Sequence, residues 1–278
     1  MTMRNIKLLP PGFRNVRGRL IHLVTLPGLM PSGPTILFVH GVAATASSWL
    51  PLINCLKSRA SKFVIFDLPG HGFSGQADES FNIEEAYLIT RDILMLEAEP
   101  ESENILVGNS LGGALAMRFT LDHPEVLTRT ILISPAGVPF PVSAHAVLDT
   151  FITSSLGETR TLLHRILVHS RITPTLLAPQ VYYNITRPAF RGLIDSICEY
   201  DTDEDSKIRH LIMQADDLAS CKVPVQFIWG KQDHILPEEM RDYFVRYLPD
   251  FCTFIYPETF GHCPQMEEPK LLADIMDI

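Results

Sequence analysis

The chain has 278 residues, 46% of them hydrophobic, and a formal charge of −9. That is enough apolar material for one large core, and the acidic balance argues against a nucleic-acid partner, which requires a basic patch. Five cysteines (Cys55, Cys198, Cys221, Cys252 and Cys263) are odd in number and contain no Cys-x-x-Cys pair, so neither zinc nor a disulfide framework is expected and the setting is read as cytoplasmic.

Residues 1–11 carry Arg4 and Lys7 but no apolar run, which predicts no secretory signal, and no stretch of about 18 apolar residues predicts a membrane span. Arg14, Arg17 and Arg19 read as the solvated face of an edge strand, and residues 20–26 as part of an antiparallel start. Thr35–Val39 is a strand, 49–58 contains a helix, and Lys62–Phe66 is the next strand. Asn82 reads as the N-cap of a helix over Ile83–Glu97, whose apolar residues recur at helical spacing. A buried strand at 104–107, a helix at 114–123 and a strand at 130–133 follow. Further on, strands at 226–229 and 253–256 flank a helix at 238–248, and 267–276 suits a closing helix. Repeated strand–helix units predict an α/β fold with a mostly parallel sheet between two layers of helices.

Residues 137–220 break this rhythm, with few strand-like runs and helical ones at 161–169 and 205–213. Lying between two sheet strands, they are read as a mostly helical cap (138–220) above the C-terminal edge of a core formed by 1–137 and 221–278. The acidic run Asp201-Thr202-Asp203-Glu204-Asp205 lacks the ligand spacing of a calcium loop and reads as a turn and helix start.

Gly108-Asn109-Ser110-Leu111-Gly112-Gly113 sits between a strand and a helix, the setting of a nucleophile elbow. Such a turn thrusts the serine hydroxyl outward and leaves room only for small residues two positions either side, here Gly108 and Gly112. A serine hydroxyl needs a base, an acid to orient that base and donors for the oxyanion. Open parallel sheets present such groups beyond the carboxyl ends of their strands. His262, in Phe260-Gly261-His262 after the last strand, is the candidate base. Asp233, after the strand ending at Trp229, is the candidate acid. His40, at a strand end ahead of the serine, and His71, in the turn Pro69-Gly70-His71-Gly72, read as structural, as does Asp67. His234 is the runner-up base; His145, His164 and His169 fall in the cap. Asp216 and Asp217 precede their strand, at its wrong end. The strand at 130–133 is followed by Ser134-Pro135-Ala136, with no carboxylate, which strengthens Asp233. The expected oxyanion donors are the amides of Leu111, where the helix dipole adds positive potential, and of Val42, in the turn after His40-Gly41.

Taken together, His40-Gly41, Asp67-Leu68-Pro69-Gly70-His71-Gly72-Phe73-Ser74, the elbow, Asp233 and Gly261-His262 resemble the α/β-hydrolase superfamily. The resemblance covers most of the chain outside the cap and implies an eight-stranded sheet with the cap inserted after the sixth strand. Val223-Pro224-Val225-Gln226-Phe227-Ile228-Trp229-Gly230-Lys231-Gln232-Asp233 and Ser134-Pro135-Ala136-Gly137 look most like the monoacylglycerol-lipase and carboxylesterase branch. That likeness implies hydrolysis of a small carboxylic ester through an acyl-enzyme on Ser110, with no cofactor and no metal. Leu162, Leu163, Ile166, Leu167, Leu176 and Leu177 are candidates to line an apolar acyl pocket, although packing of the cap on the core accounts for most of them. The elbow also looks like that of the carbon–carbon hydrolases of aromatic ring-cleavage pathways, which often carry Trp after the base where this chain has Cys263. Haloalkane dehalogenases and epoxide hydrolases use an aspartate nucleophile, against which Ser110 argues; cofactor-free haloperoxidase-like relatives share the triad. A non-catalytic, ligand-binding member of the fold is the rival from another class. The motifs carry no information on oligomeric state.

Overall fold

In the computed structural model, which describes residues 12–74, 81–170, 173–202 and 210–278, the uninterrupted apolar runs become the centre of a sheet. The strands are β1 (Phe13–Val16), β2 (Arg19–Pro27), β3 (Thr35–Val39), β4 (Lys62–Phe66), β5 (Asn104–Asn109), β6 (Arg129–Ile133), β7 (Val225–Ile228) and β8 (Thr253–Ile255). They lie in the order β1-β2-β4-β3-β5-β6-β7-β8. β1 and β2 pair antiparallel with each other, and β2 with β4; the rest are parallel. A parallel sheet is covered on both faces, which is why its central strands are mostly apolar rather than strictly alternating with polar residues. Successive side chains still alternate in direction. Ile36 and Phe38 enter one core, and Leu37 and Val39 the other.

The helices are α1 (Leu50–Leu56), α2 (Ile83–Glu97), α3 (Leu111–Asp122), α4 (Ala144–Leu148), α5 (Leu156–Ile166), α6 (Thr173–Ile185), α7 (Pro188–Thr202), α8 (Ala215–Ala219), α9 (Glu238–Tyr247), α10 (Pro264–Glu267) and α11 (Pro269–Ile275). α1 and α11 pack on the face of Ile36 and Phe38; α2, α3 and α9 pack on the other. α4 to α8 lie between β6 and β7, in the segment read from the sequence as a cap, and α8 packs on α9 of the core. The Asn82 side chain accepts the Glu85 N–H at 2.8 Å and so caps α2, with Glu84 and Glu85 favourably placed in its first turn.

Several local readings change. α3 starts at Leu111 rather than 114, because Gly112 and Gly113 are helical residues selected for close packing, not turn residues. The closing helix is split at Glu268, since Pro269 has no N–H to continue α10 and instead opens α11. α5 begins five residues ahead of 161, where the Ser155 hydroxyl caps it by accepting the Glu158 N–H at 3.2 Å. The helix expected to reach residue 213 does not: Met213 is non-helical and its N–H bonds the Gly137 carbonyl at 2.7 Å. Asp201 and Thr202 end α7 rather than start a helix, and the rest of the acidic run, like residues 1–11, lies outside the described residues. At the β1 edge, Arg17 and Arg19 are not merely solvated; they pair with Asp92 and Glu85 of α2.

Candidate active site

β5 turns into α3 through Ser110, whose backbone stands at φ 56° and ψ −120°. A β-carbon on Gly108 would lie 2.4 Å from the Gly112 carbonyl oxygen, and one on Gly112 would lie 2.1 Å from that of Val39. Neither position admits a side chain. A positive φ at a non-glycine residue costs roughly 1–3 kcal/mol and persists only where neighbours fix it. Here the Ser110 N–H donates to Ile133 O at 3.1 Å, and Ser110 O accepts the Ala136 N–H at 3.0 Å.

The loops beyond β7 and β8 bring Asp233 and His262 together. His262 Nδ1 lies 2.8 Å from Asp233 Oδ2, and both residues are buried. Asp233 Oδ1 accepts the Ile235 N–H at 2.9 Å. Burial alone would raise the Asp233 carboxyl; the His262 charge and hydrogen bond, the Ile235 amide and the adjacent Ser134 hydroxyl outweigh it and hold the group below the usual carboxylate range. Ser134, itself at φ 42° on the end of β6, has its hydroxyl beside that carboxylate but not in hydrogen-bond geometry. With Nδ1 committed to Asp233, Nε2 is the nitrogen of His262 free for proton transfer. His262 and Ser110 line one pocket.

Sequence reasoning did not find what holds the His262 loop. Asn109, almost fully buried, donates through Nδ2 to Ile133 O and to His262 O, both at 3.0 Å. Its Oδ1 accepts Gln265 Nε2 at 3.1 Å and Cys263 Sγ at 3.5 Å. Burial, with Asp233 and Glu267 nearby, pushes the Cys263 thiol far above its ordinary range, so it stays protonated and unreactive. Glu267, at the end of α10, accepts the amides of Val168 (3.0 Å), His169 (2.7 Å) and Ser170 (3.2 Å), and so ties the cap segment ahead of α6 to the His262 loop. These partners are so remote in sequence that no local pattern announces them.

Val42 and Leu111, the candidate oxyanion donors, line the same cavity as Ser110, and neither amide donates to a protein acceptor among the described residues. Leu111 opens α3, where the dipole is positive. The turn that carries Val42 is shaped by three buried groups. His40 Nδ1–H donates to Gly41 O (2.8 Å) while its Nε2 accepts the Leu68 N–H (2.9 Å). His71 Nδ1–H donates to Pro69 O (3.0 Å) while its Nε2 accepts the Ala43 N–H (3.1 Å). Each ring has one accepting nitrogen, so both are neutral. Burial lowers both, His71 to about 3. Asp67 accepts the amides of Ala46 (2.8 Å) and Phe73 (3.0 Å) and meets His22 Nδ1 (2.9 Å). All three are scaffolding, as their sequence positions suggest.

Two cavities meet at Ser110. One, of about 60 Å³, is walled by apolar residues including Ile83, Phe140, Val147, Ile197 and Leu211. The other, of about 270 Å³, holds His262 and Cys263 and is bounded by Thr45, Ser47, Gln180 and Asn184 as well as apolar side chains. Of the cap's candidate acyl-pocket residues, Leu163, Ile166, Leu167 and Leu177 face this second cavity, Leu162 is core, and Leu176 is 72% exposed. His234, His145, His164 and His169 are exposed on the surface, and Asp217 serves as a cap of α8. Among the described residues no three His, Cys, Asp or Glu side chains group as metal ligands would, and no helix is long and apolar enough to cross a membrane.

The family model for the alpha/beta hydrolase family matches residues 36–275. The chain is 25% identical over 267 residues to monoacylglycerol lipase abhd6-B of Xenopus laevis, covering 91% of this chain and 77% of that one. It is 25% identical over 244 residues to 2-hydroxymuconate semialdehyde hydrolase of Pseudomonas putida, covering 87% and 85%. Among solved structures, the 2-hydroxy-6-oxo-6-phenylhexa-2,4-dienoate hydrolase of Rhodococcus sp. strain RHA1 superposes with a TM-score of 0.76 at 20% identity over 95% of each chain, a likeness of fold.

Proposed function

We propose that this chain, which belongs to the alpha/beta hydrolase family, is a serine hydrolase that cleaves a small carboxylic ester through an acyl-enzyme on Ser110. The observation that carries this reading is the buried His262–Asp233 hydrogen bond at the sheet rim, beside a serine held on a strained elbow. His262 Nε2 takes the Ser110 proton as the hydroxyl attacks the ester carbonyl. Asp233 fixes the imidazole and stabilises its cationic form. The oxyanion forms between the Val42 and Leu111 amides, each worth about 3 kcal/mol to the transition state. His262 then protonates the departing alcohol, and water reverses the sequence to release the acid.

The base decides which group goes where. The leaving alcohol must lie within reach of His262, so it occupies the larger cavity, which His262 lines. The acyl part then occupies the apolar cavity that also opens at Ser110, walled partly by the cap (138–220), so that Leu163, Ile166, Leu167 and Leu177, the sequence's candidates for an acyl pocket, border the alcohol instead.

The likeness to ring-cleavage hydrolases supports a second reading, carbon–carbon bond hydrolysis. A dienoate brings a carboxylate, and a buried anion needs a counter-charge. No Lys or Arg lines either cavity among the described residues, which favours the ester. The test is a fluorophosphonate probe together with p-nitrophenyl esters and a ring-cleavage dienoate. Labelling and ester turnover by wild type, both lost in Ser110→Ala, are expected. Turnover of the dienoate alone overturns the ester reading, and no labelling of either protein points to the non-catalytic binder.

A further inference from the structure

α6 turns Leu177, Gln180, Val181 and Asn184 toward the larger cavity, the i, i+3, i+4, i+7 stripe of one helix face. A stripe closing over a largely apolar chamber is ordinarily apolar throughout; here amides interrupt it. Asn184 is 1% exposed. Its Oδ1 accepts Gln180 Nε2 at 3.2 Å, whereas its Nδ2, with two N–H donors, meets no acceptor. A buried donor left unpaired is unfavourable to the fold, and its retention calls for a reason. The hydroxyls of the Thr45, Ser47 and Ser48 segment that lines this cavity are already engaged: Thr45 Oγ1 with Ser47 Oγ at 2.8 Å, and Ser48 Oγ as donor to Thr45 O at 2.7 Å. Asn184 Nδ2 is therefore a buried donor, on a residue that lines the same cavity as His262, that the protein itself leaves unused.

We infer that Asn184 is a specificity-determining residue whose Nδ2 donates a hydrogen bond to a neutral oxygen on the leaving alcohol. This rests on the reading of Ser110 as an ester nucleophile with the alcohol on the His262 side. The acceptor is neutral because the donor is an uncharged amide and no cation lines this cavity among the described residues; an anionic headgroup would be buried without compensation. The favoured substrates are thus esters of alcohols that carry a second oxygen, as a hydroxyl or an ether, and no charge.

A matched pair of esters isolates that one atom. 2-Methoxyethyl hexanoate and butyl hexanoate share an acyl group and nearly share a shape, and differ by an ether oxygen in place of a methylene. Wild type is expected to prefer the methoxyethyl ester by about tenfold in kcat/KM, the scale of one hydrogen bond to an otherwise unpaired donor. Asn184→Leu and Asn184→Ala both remove the donor, one with the volume nearly retained and one without it, and both are expected to bring the ratio to about one. Because the two esters are compared on the same preparation, the ratio is independent of the folded fraction. A wild-type ratio near one, or a preference that survives in both variants, overturns the inference while leaving the ester chemistry intact. Turnover of a ring-cleavage dienoate with neither ester cleaved overturns the ester reading itself, and this inference with it.

Discussion

Replacing Asn109 with alanine tests how the His262 loop is held. Of the four groups that contact this side chain, Ile133 O keeps a partner in the Ser110 N–H. His262 O and Gln265 Nε2 lose theirs, the Cys263 thiol loses only a long, weak bond of 3.5 Å, and the Gln265 Oε1 already has none. Two newly stranded buried groups, at about 1–3 kcal/mol each, predict a loss of roughly 2–6 kcal/mol. For a chain of this length that is a fall in melting temperature of roughly 4–12 °C. Release of the loop should also displace the imidazole, and a shift of about 1 Å in a catalytic group costs on the order of 100-fold, so kcat should fall more than KM rises. Asn109→Asp separates lost hydrogen bonds from lost volume. It keeps an oxygen for Gln265 and Cys263 but sets another against the carbonyls of Ile133 and His262, and should be at least as harmful. Thermal melts and steady-state kinetics on a p-nitrophenyl ester measure both effects. An alanine variant that melts within about 1 °C of wild type with kcat within about twofold would refute the reasoning.

Acid should weaken the fold through the buried histidines. His71 is held to about 3 in the folded chain against an ordinary value of 6.5, and His40 is lowered in the same direction. The unfolded chain therefore binds protons that the folded chain refuses, so this stability is complete above pH 6.5 and is lost as pH falls toward 3. By pH 4.5, His71 alone should cost about 3 kcal/mol, visible as a urea midpoint that drops more steeply in wild type than in His71→Gln; parallel drops would count against it. Val147→Phe should crowd the apolar cavity and lower the kcat/KM ratio of p-nitrophenyl octanoate to acetate by about tenfold or more, and an unchanged chain-length profile would contradict the acyl assignment.

What could be read from the sequence follows from how local each signal is. β3, β4 and α2 have the bounds their residues suggest, because an apolar run with polar flanks, or an N-cap asparagine ahead of a helical period, is complete within a few residues. The need for a small residue at Gly112 is legible from the elbow motif, but what it makes room for, the Val39 carbonyl on another strand, is not. The split between α10 and α11 is written in Pro269, which the helical period over 267–276 masks. Asp233 and His262 were legible as strand-end residues in a parallel sheet, a rule of topology rather than of periodicity. Asn109 and Glu267 were not, since an amide or carboxylate shows its function only through the distant backbone groups it meets. Asn184 stands in the sequence as one of two amides, with Gln180, on a helix that no sequence signal above places.

The bond from Asn109 to the His262 carbonyl joins residues 153 positions apart. Contacts of such separation are closed late, after the intervening chain has lost most of its freedom. A nascent chain still lacking the segment after β8 can thus shape the elbow while having no imidazole to serve it. Appearance of turnover during refolding should then trail the recovery of helical signal, making catalysis itself a reporter of the final docking step.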